Sequence, residues 1–204
     1  MAIIMKAEEA FEDDVKSFPG LLSAFLYSDL DYMFADLVQT RWVSLHDLTG
    51  NEILVLVPAT IQSKVIISDG RARLLRPFRY VGTRSVNMMT RIVGEHFGIS
   101  LRYFPCMVFF DHPASREVYC FSFRAEKSVE ELADAIKEVI GLAREAVVER
   151  SIVAGAEEEL REQRAELLQR LVPRLRQAKV FRHCRRLTVN KAISNLARIG
   201  AGLI

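Results

Sequence analysis

The amino-acid sequence predicts an α/β domain followed by a basic helical extension. Apolar, β-favouring runs at residues 21–27 and 52–57 flank a stretch with helical periodicity. Two further strand-like runs, 107–110 and 117–123, are joined by a turn-rich segment and precede a capped helical pattern. A strand–helix–strand unit and a hairpin–helix unit together favour a sheet covered by helices.

The first unit begins with the run Leu21–Tyr27, which is apolar enough for a buried strand. Ser28 or Asp29 can cap a helix that ends by Gly50. The apolar face of that helix is expected to contain Leu30, Met33, Phe34, Leu37 and Val38. The run 52–57 (EILVLV) is typical of a strand in a parallel sheet, reached by a right-handed crossover.

The second unit is a predicted β-hairpin followed by a helix. Along 117–123, Val118, Cys120 and Ser122 alternate with Tyr119, Phe121 and Phe123. Ser128 and Glu131 have the spacing of a capping box. Apolar residues follow at helical spacing, namely Val129, Leu132, Ala133, Ile136, Val139 and Ile140. Many α+β proteins contain such a unit, so the pattern alone defines no family.

The residues just before this hairpin resemble a signature of the thioredoxin-like superfamily. Phe97-Gly98-Ile99 is followed by Phe104-Pro105-Cys106 and then by the apolar strand, which is similar to the family's hydrophobe, proline and small residue before a strand. The resemblance implies a three-layer α/β/α sandwich over residues 18–153. It also implies that Pro105 is the cis-proline that closes a substrate groove.

The chain departs from the thioredoxin-like pattern where the first strand meets the first helix. The matching stretch, residues 25–32, has no cysteine. Dithiol exchange needs an attacking thiolate and a resolving partner, so a divergent, redox-inactive member is expected. The groove residues that the resemblance implies are Ser28, Asp29, Phe104, Pro105 and Cys106.

Residues 61–84 form a predicted insert with a basic character. Asp69-Gly70 between residues 64–68 and 71–75 is a strong hairpin signal. The insert carries the arginines Arg71, Arg73, Arg76, Arg79 and Arg84. They are interpreted either as a charged edge that resists aggregation or as an anion-binding surface. A helix is then expected from Ser85 to His96.

The C-terminal extension, residues 156–204, is predicted to be helical and basic. Residues 161–204 contain eleven Lys or Arg against two Glu, whereas residues 1–60 contain ten Asp or Glu against three Lys or Arg. Five of those ten acidic residues lie in an acidic lead-in at 1–17. A helix from Glu157 is expected to kink or end at Pro173, and an intermittent helix to follow. Its basic residues include Arg174, Arg182, Arg185 and Arg186. The extension could dock on a protein or on the acidic half of the chain, bind phosphate backbones, or lie on a membrane surface.

Few residues are arranged for chemistry. The cysteines at 106, 120 and 184 form neither a CxxC nor a metal-binding spacing, and no glycine-rich phosphate loop is present. Cys106 is the single catalytic candidate, because a thiol beside a groove can have a lowered pKa. No metal or cofactor is expected.

Three functional hypotheses follow from these features. The first is a redox-inactive adaptor that binds a protein partner through the groove and the C-terminal helices. The second is a single-thiol enzyme or sensor that uses Cys106. The third is a binder of nucleic acid or an anionic surface through the basic insert and extension. The sequence leaves open whether the chain forms a homo-oligomer. The cytoplasm is the expected compartment, because residues 1–14 lack the pattern of a secretory signal.

Overall fold

The structure is a computed structural model, and it describes residues 15–28, 30–40, 47–57, 78–80, 86–115, 117–150, 155–177 and 184–188. The strands are β1 (Leu21–Leu26), β2 (Ile53–Val57), β3 (Phe78–Tyr80), β4 (Cys106–Phe110), β5 (Glu117–Ser122) and β6 (Cys184–Thr188). The helices are α1 (Tyr32–Thr40), α2 (Val86–His96), α3 (Val129–Arg150) and α4 (Glu157–Gln177), with a 3-10 turn at Leu101–Tyr103. The fold is mixed α/β.

All six strands belong to one mixed sheet with the order β3-β2-β1-β4-β5-β6. β1 and β2 are parallel, as are β2 and β3, whereas β4 is antiparallel to β1 and to β5, and β5 is antiparallel to β6. The predicted parallel pair and the predicted hairpin are both confirmed. The predicted hairpin at 64–75 lies outside the described residues.

Each face of the sheet is covered by its own apolar core. On one face Phe25, Val55, Phe109 and Phe121 pack with residues of α1, α3 and α4. On the other face Leu22, Val108 and Cys120 pack with Phe97 and Phe104 near the end of α2. The alternation predicted for residues 117–123 is confirmed, because Val118 and Cys120 lie in one core and Tyr119, Phe121 and Phe123 lie in the other.

The sequence Phe97-Gly98-Ile99 ends α2 in a Schellman motif. Gly98 has a φ of 64° and donates its N–H to the carbonyl of Glu95, while the N–H of Ile99 bonds to the carbonyl of Gly94. Glycine adopts this left-handed conformation without a steric penalty. Ile99 is thereby turned into the second core.

The hairpin-following helix α3 begins as predicted. The hydroxyl of Ser128 accepts the N–H of Glu131 at 3.1 Å, and the carboxylate of Glu131 accepts the N–H of Lys127 at 2.8 Å. One stripe of the helix is then buried, from Leu132 to Val147. The helix extends well past Ile140 and ends at Arg150.

Helix α4 packs against the same face of the sheet as α1 and α3. Its buried residues are Leu160, Arg164, Leu167, Leu168, Leu171, Val172 and Leu175. Burying a leucine or valine side chain fully stabilises the fold by about 1.5–3 kcal/mol each. The apolar stripe of α4 is therefore occupied within this chain. The helix continues through Pro173 to Gln177, so it does not end at the proline.

Arg164 ties α4 to the N-terminal segment. Its guanidinium is fully buried and donates to the carbonyls of Gly20 at 2.9 Å and Asp111 at 3.0 Å. The same group donates to the carbonyls of Val15, Lys16 and Phe18. Burial lowers the pKa of Arg164 to about 10, so the side chain remains charged at neutral pH.

The structure corrects one prediction in the C-terminal extension. Residues 174–199 are predicted to be intermittently helical, but Cys184–Thr188 form β6, with Cys184 opposite Phe121. Strand β5 would otherwise present unpaired backbone N–H and C=O groups along its edge. Pairing with that edge outweighs a weak local preference for helix.

Candidate functional site

Four of the five predicted groove residues lie at one end of the sheet. Leu26, at the end of β1, is the register partner of Cys106, at the start of β4, so the segments beyond them, Ser28 and Phe104-Pro105, emerge side by side. The Phe104–Pro105 peptide bond is cis, as the resemblance implies for Pro105. The carbonyl of Pro105 accepts the N–H of Phe123 at 2.8 Å, which attaches the end of β5 to the same place. Asp29, the fifth residue, lies outside the described residues.

Ser28 takes part in the turn between β1 and α1. Its N–H and hydroxyl donate to the Asp31 carboxylate at 2.7 and 2.9 Å, and its Oγ accepts the N–H of Leu30 at 3.3 Å. The helix starts at Tyr32, so the expectation that Ser28 caps its first turn directly is wrong. The hydroxyl of Ser28 is held by a carboxylate, and it serves the turn.

The thiol of Cys106 is buried in the second core. It is 0% exposed and shares that core with Cys120, which is also a free cysteine. Burial raises the pKa of Cys106 well above its ordinary value, and the hydrogen bond with Cys120 and the charge of Asp31 act in the same direction. Thiol chemistry requires a thiolate, which this environment disfavours.

Most of the large apolar side chains that the structure describes as exposed lie at the end of the sheet that carries Pro105. The structure describes five large apolar side chains as exposed. Leu30 (76%), Tyr32 (72%) and Met33 (39%) follow β1, and Leu101 (66%) precedes β4, so these four are at the end of the sheet that carries Pro105. The fifth, Val148, is near the far end of α3. We call Leu30, Tyr32, Met33, Leu101 and Pro105 the Pro105 surface.

Leu30 and Met33 are predicted to lie on the buried face of the first helix, and this prediction is wrong because both are exposed. A helix that began at residue 28 or 29 would place Leu30 on one face with Phe34 and Leu37. The helix begins later, so Leu30 lies in the preceding turn, while Phe34 and Leu37 are buried. The exposure of Leu101 is not among the sequence-based predictions. The one sequence feature that indicates it is the position of Leu101 in a segment too short for a strand, between Phe97-Gly98-Ile99 and Pro105.

The predicted basic surface is only partly described. Arg71, Arg73, Arg76, Arg84 and Arg182 lie outside the described residues. Arg79 is in β3, and Arg185 and Arg186 are in β6, where the structure describes only the backbone. The side chain of Arg174 donates to both carboxylate oxygens of Glu149 on α3, at 3.0 and 2.5 Å. That guanidinium can bind another anion only by giving up this pair.

A separate polar cluster lies at the opposite end of β4. His112 contacts the Glu157 carboxylate through Nε2 at 2.7 Å, and its Nδ1 accepts the N–H of Ala114 at 3.0 Å. Nε2 therefore carries the hydrogen and donates it. The hydrogen bond from His112 lowers the pKa of Glu157, and Lys16 contributes to the same effect. This cluster joins the β4–β5 turn to the start of α4.

The described residues contain neither a metal site nor a membrane-spanning helix. No group of three His, Cys, Asp or Glu side chains is placed to hold a metal ion in this part of the chain. None of the described helices is both long and apolar enough to cross a membrane. Comparison of the chain with protein-family models, with curated proteins and with solved structures finds no match.

Proposed function

We propose that this chain is a redox-inactive, thioredoxin-like protein that binds an apolar segment of another protein at the Pro105 surface. The order of β2, β1, β4 and β5 supports the fold assignment, with one parallel pair followed by two antiparallel pairs. Apolar cores on both faces of the sheet support the three-layer sandwich. Pro105 directly before β4 agrees with the resemblance in sequence.

The observation that carries the binding function is the clustering of exposed apolar side chains. Single exposed leucines are ordinary, whereas a contiguous apolar patch commonly marks an interaction site. Here four of the five large apolar side chains that the structure describes as exposed lie at one end of the sheet. Covering such side chains yields about 25 cal/mol for each Å² of apolar area removed from water, so a partner with apolar residues gains most by binding there.

The state of the thiols supports a binding role without redox chemistry. Cys106 is buried, and its pKa is raised. The position where thioredoxins carry their cysteines is occupied by Ser28, whose hydroxyl is bonded to Asp31. Neither group is prepared for nucleophilic attack.

Because α4 is packed within this chain, we place the docking surface at a different part of the molecule. The adaptor hypothesis assigned docking to the C-terminal helices, but the leucines of α4 are buried against this chain's own sheet. A partner would have to unfold α4 to reach them. The Pro105 surface needs no such rearrangement.

Affinity capture with matched variants tests the proposal. Wild-type protein, a Leu30→Glu/Leu101→Glu variant and a Val148→Glu variant are each used to capture proteins from a nuclease-treated lysate. Val148 is the matched control, because it is exposed and apolar but distant from Pro105. We expect proteins captured by the wild type and by Val148→Glu to be lost from the double variant. Equal capture by all three would show that the Pro105 surface binds nothing.

A further inference from the structure

Most of the arginine side chains that the structure describes are bonded to carboxylates or carbonyls of this chain. The exposed and half-exposed arginines paired with carboxylates are Arg91, Arg144, Arg150, Arg161, Arg170 and Arg174. Arg164 is buried among carbonyls. Arg102 and Arg124 differ, because neither has a carboxylate within 4.0 Å in the part of the chain that the structure describes. Both are exposed.

These two arginines lie together beside the Pro105 surface. Arg102 is next to Leu101 in the 3-10 turn, and Arg124 follows Phe123, whose N–H bonds to the Pro105 carbonyl. Arg124 donates to the carbonyl of Arg102 at 2.7 Å. The register of β4 with β5, in which Cys106 is opposite Ser122, brings the two segments together.

The side chain of Arg102 is held in place without a charged partner. Its guanidinium carbon is 4.9 Å from the centre of the Tyr103 ring, and Nη2 donates to the Tyr103 hydroxyl at 2.9 Å. A guanidinium has five N–H donors in a fixed fork. Most of the donors of Arg102 and Arg124 are therefore unused by the described residues and are arranged in advance for a planar acceptor such as a carboxylate.

The segment that joins β1 to α1 contributes acidic residues beside its apolar ones. Asp31 lies between Leu30 and Tyr32 in sequence, with its carboxylate bonded to Ser28, and Asp36 is exposed on α1. The apolar residues from this segment are thus accompanied by acidic residues, whereas Leu101 is accompanied by the basic Arg102. A ligand with one charged end can bind such a surface in only one favourable orientation.

We infer that the segment bound at the Pro105 surface is an apolar peptide followed by acidic residues, with Arg102 and Arg124 as the residues that bind its carboxylates. This inference rests on the proposed function, because it assumes that the apolar side chains receive a peptide. The apolar neighbours favour a peptide over a phosphate backbone. Salt is expected to weaken the preference for acid, since exposed charge pairs are screened.

Selection and direct binding test the inference. A random-peptide phage library is selected on wild-type protein, and binding is then measured by fluorescence anisotropy. The probes are labelled peptides with one selected apolar core followed by Glu-Glu, Gln-Gln or Lys-Lys. The protein variants are Arg102→Glu/Arg124→Glu and, as a control with the same change in charge, Arg91→Glu/Arg170→Glu. Arg91 and Arg170 are exposed but already paired with Glu95 and Glu166.

We expect the wild type to bind the Glu-Glu peptide about tenfold more tightly than the Gln-Gln peptide, from two charge-assisted contacts of modest strength each. The Arg102→Glu/Arg124→Glu variant should prefer Lys-Lys, and the control variant should behave as the wild type. Equal affinity for the Glu-Glu and Gln-Gln peptides overturns the inference and leaves the proposed function standing. Failure to enrich any apolar peptide overturns both. Binding of a labelled single-stranded oligonucleotide in place of peptides, lost in Arg102→Glu/Arg124→Glu, overturns the inference in favour of nucleic acid.

Discussion

Replacing Arg164 by alanine should destabilise the protein more than any other single change to an α4 arginine. The side chain is fully buried and donates to backbone carbonyls in two places: the segment before β1, which includes Gly20, and Asp111 after β4. Alanine removes all of these donors at once. The carbonyls that accept them then have no partner from α4.

The size of the effect follows from the cost of unpaired buried acceptors. A hydrogen bond to a charged group contributes about 1.5–3 kcal/mol, but water that enters the emptied polar space recovers part of the loss. Each buried carbonyl left without a donor costs about 1–3 kcal/mol before such relief. We therefore expect the free energy of unfolding to fall by about 4 kcal/mol, which is a large part of the 5–15 kcal/mol typical of a domain.

Urea unfolding followed by far-UV circular dichroism measures this change. Arg170→Ala is the matched control, because Arg170 is exposed on the same helix and pairs only with Glu166 at 3.0 Å. Its loss should cost less than about 1 kcal/mol. Arg164→Lys should fall between the two, since one ammonium cannot reach all the carbonyls that the guanidinium spans. If Arg164→Ala and Arg170→Ala unfold at the same urea concentration, the carbonyl network does not stabilise the fold.

Three further predictions concern single residues. Because burial raises the pKa of Cys106 above its ordinary 9.0, we expect iodoacetamide to modify it only after unfolding, and rapid modification of folded protein, seen by mass spectrometry, would contradict this. Gly98→Ala should lower stability by about 1–2 kcal/mol, because the φ of 64° is left-handed; an unchanged urea midpoint would disprove the strain. Hydrogen bonding with His112 lowers the pKa of Glu157 below 4.5, so its contribution is present above the unfolded pKa and lost as pH falls through the folded value. Glu157→Gln should therefore flatten the dependence of Tm on pH below about 5, whereas an identical pH profile would show that the pair has no effect on folding.

The strands could be predicted because their signal is local. Residues 21–27, 52–57, 107–110 and 117–123 are apolar enough to be recognised singly, and β1, β2, β4 and β5 fall within one residue of them at each end. Strand β6 could not be predicted in this way. Its sequence, Cys-Arg-Arg-Leu-Thr, has no apolar run, and it is a strand because the edge of β5 is available to pair with it.

The sequence contains only a weak indication that Arg164 is buried. Arg164 is one turn after Leu160 and one turn before Leu167 and Leu168, so it lies on the apolar face of α4. The amphipathic pattern shows a gap in the leucine stripe there. The carbonyls that fill its hydrogen-bonding capacity are about 50 to 150 residues away in sequence, and no local pattern indicates such contacts.

Only part of the candidate site could be predicted from the sequence. Pro105 and Ser28 could be predicted to lie near one another from the resemblance and the strand order. Arg102 and Arg124 could not, because they occupy turns separated by 22 residues and meet only through the register of β4 with β5. Leu30 was misplaced because helix starts are uncertain by a residue or two.

The contacts of α4 also determine when this protein can fold during its synthesis. The residues of β1, β2, β4 and β5 leave the ribosome before those of α4. Until α4 follows, one face of that sheet is not covered by the leucines of α4, and the carbonyls of the segment before β1 have no guanidinium from Arg164 to bind. A nascent chain that ends before Gln177 therefore presents part of its core to water. We expect such a chain to depend on chaperones that cover apolar surface until α4 has been made.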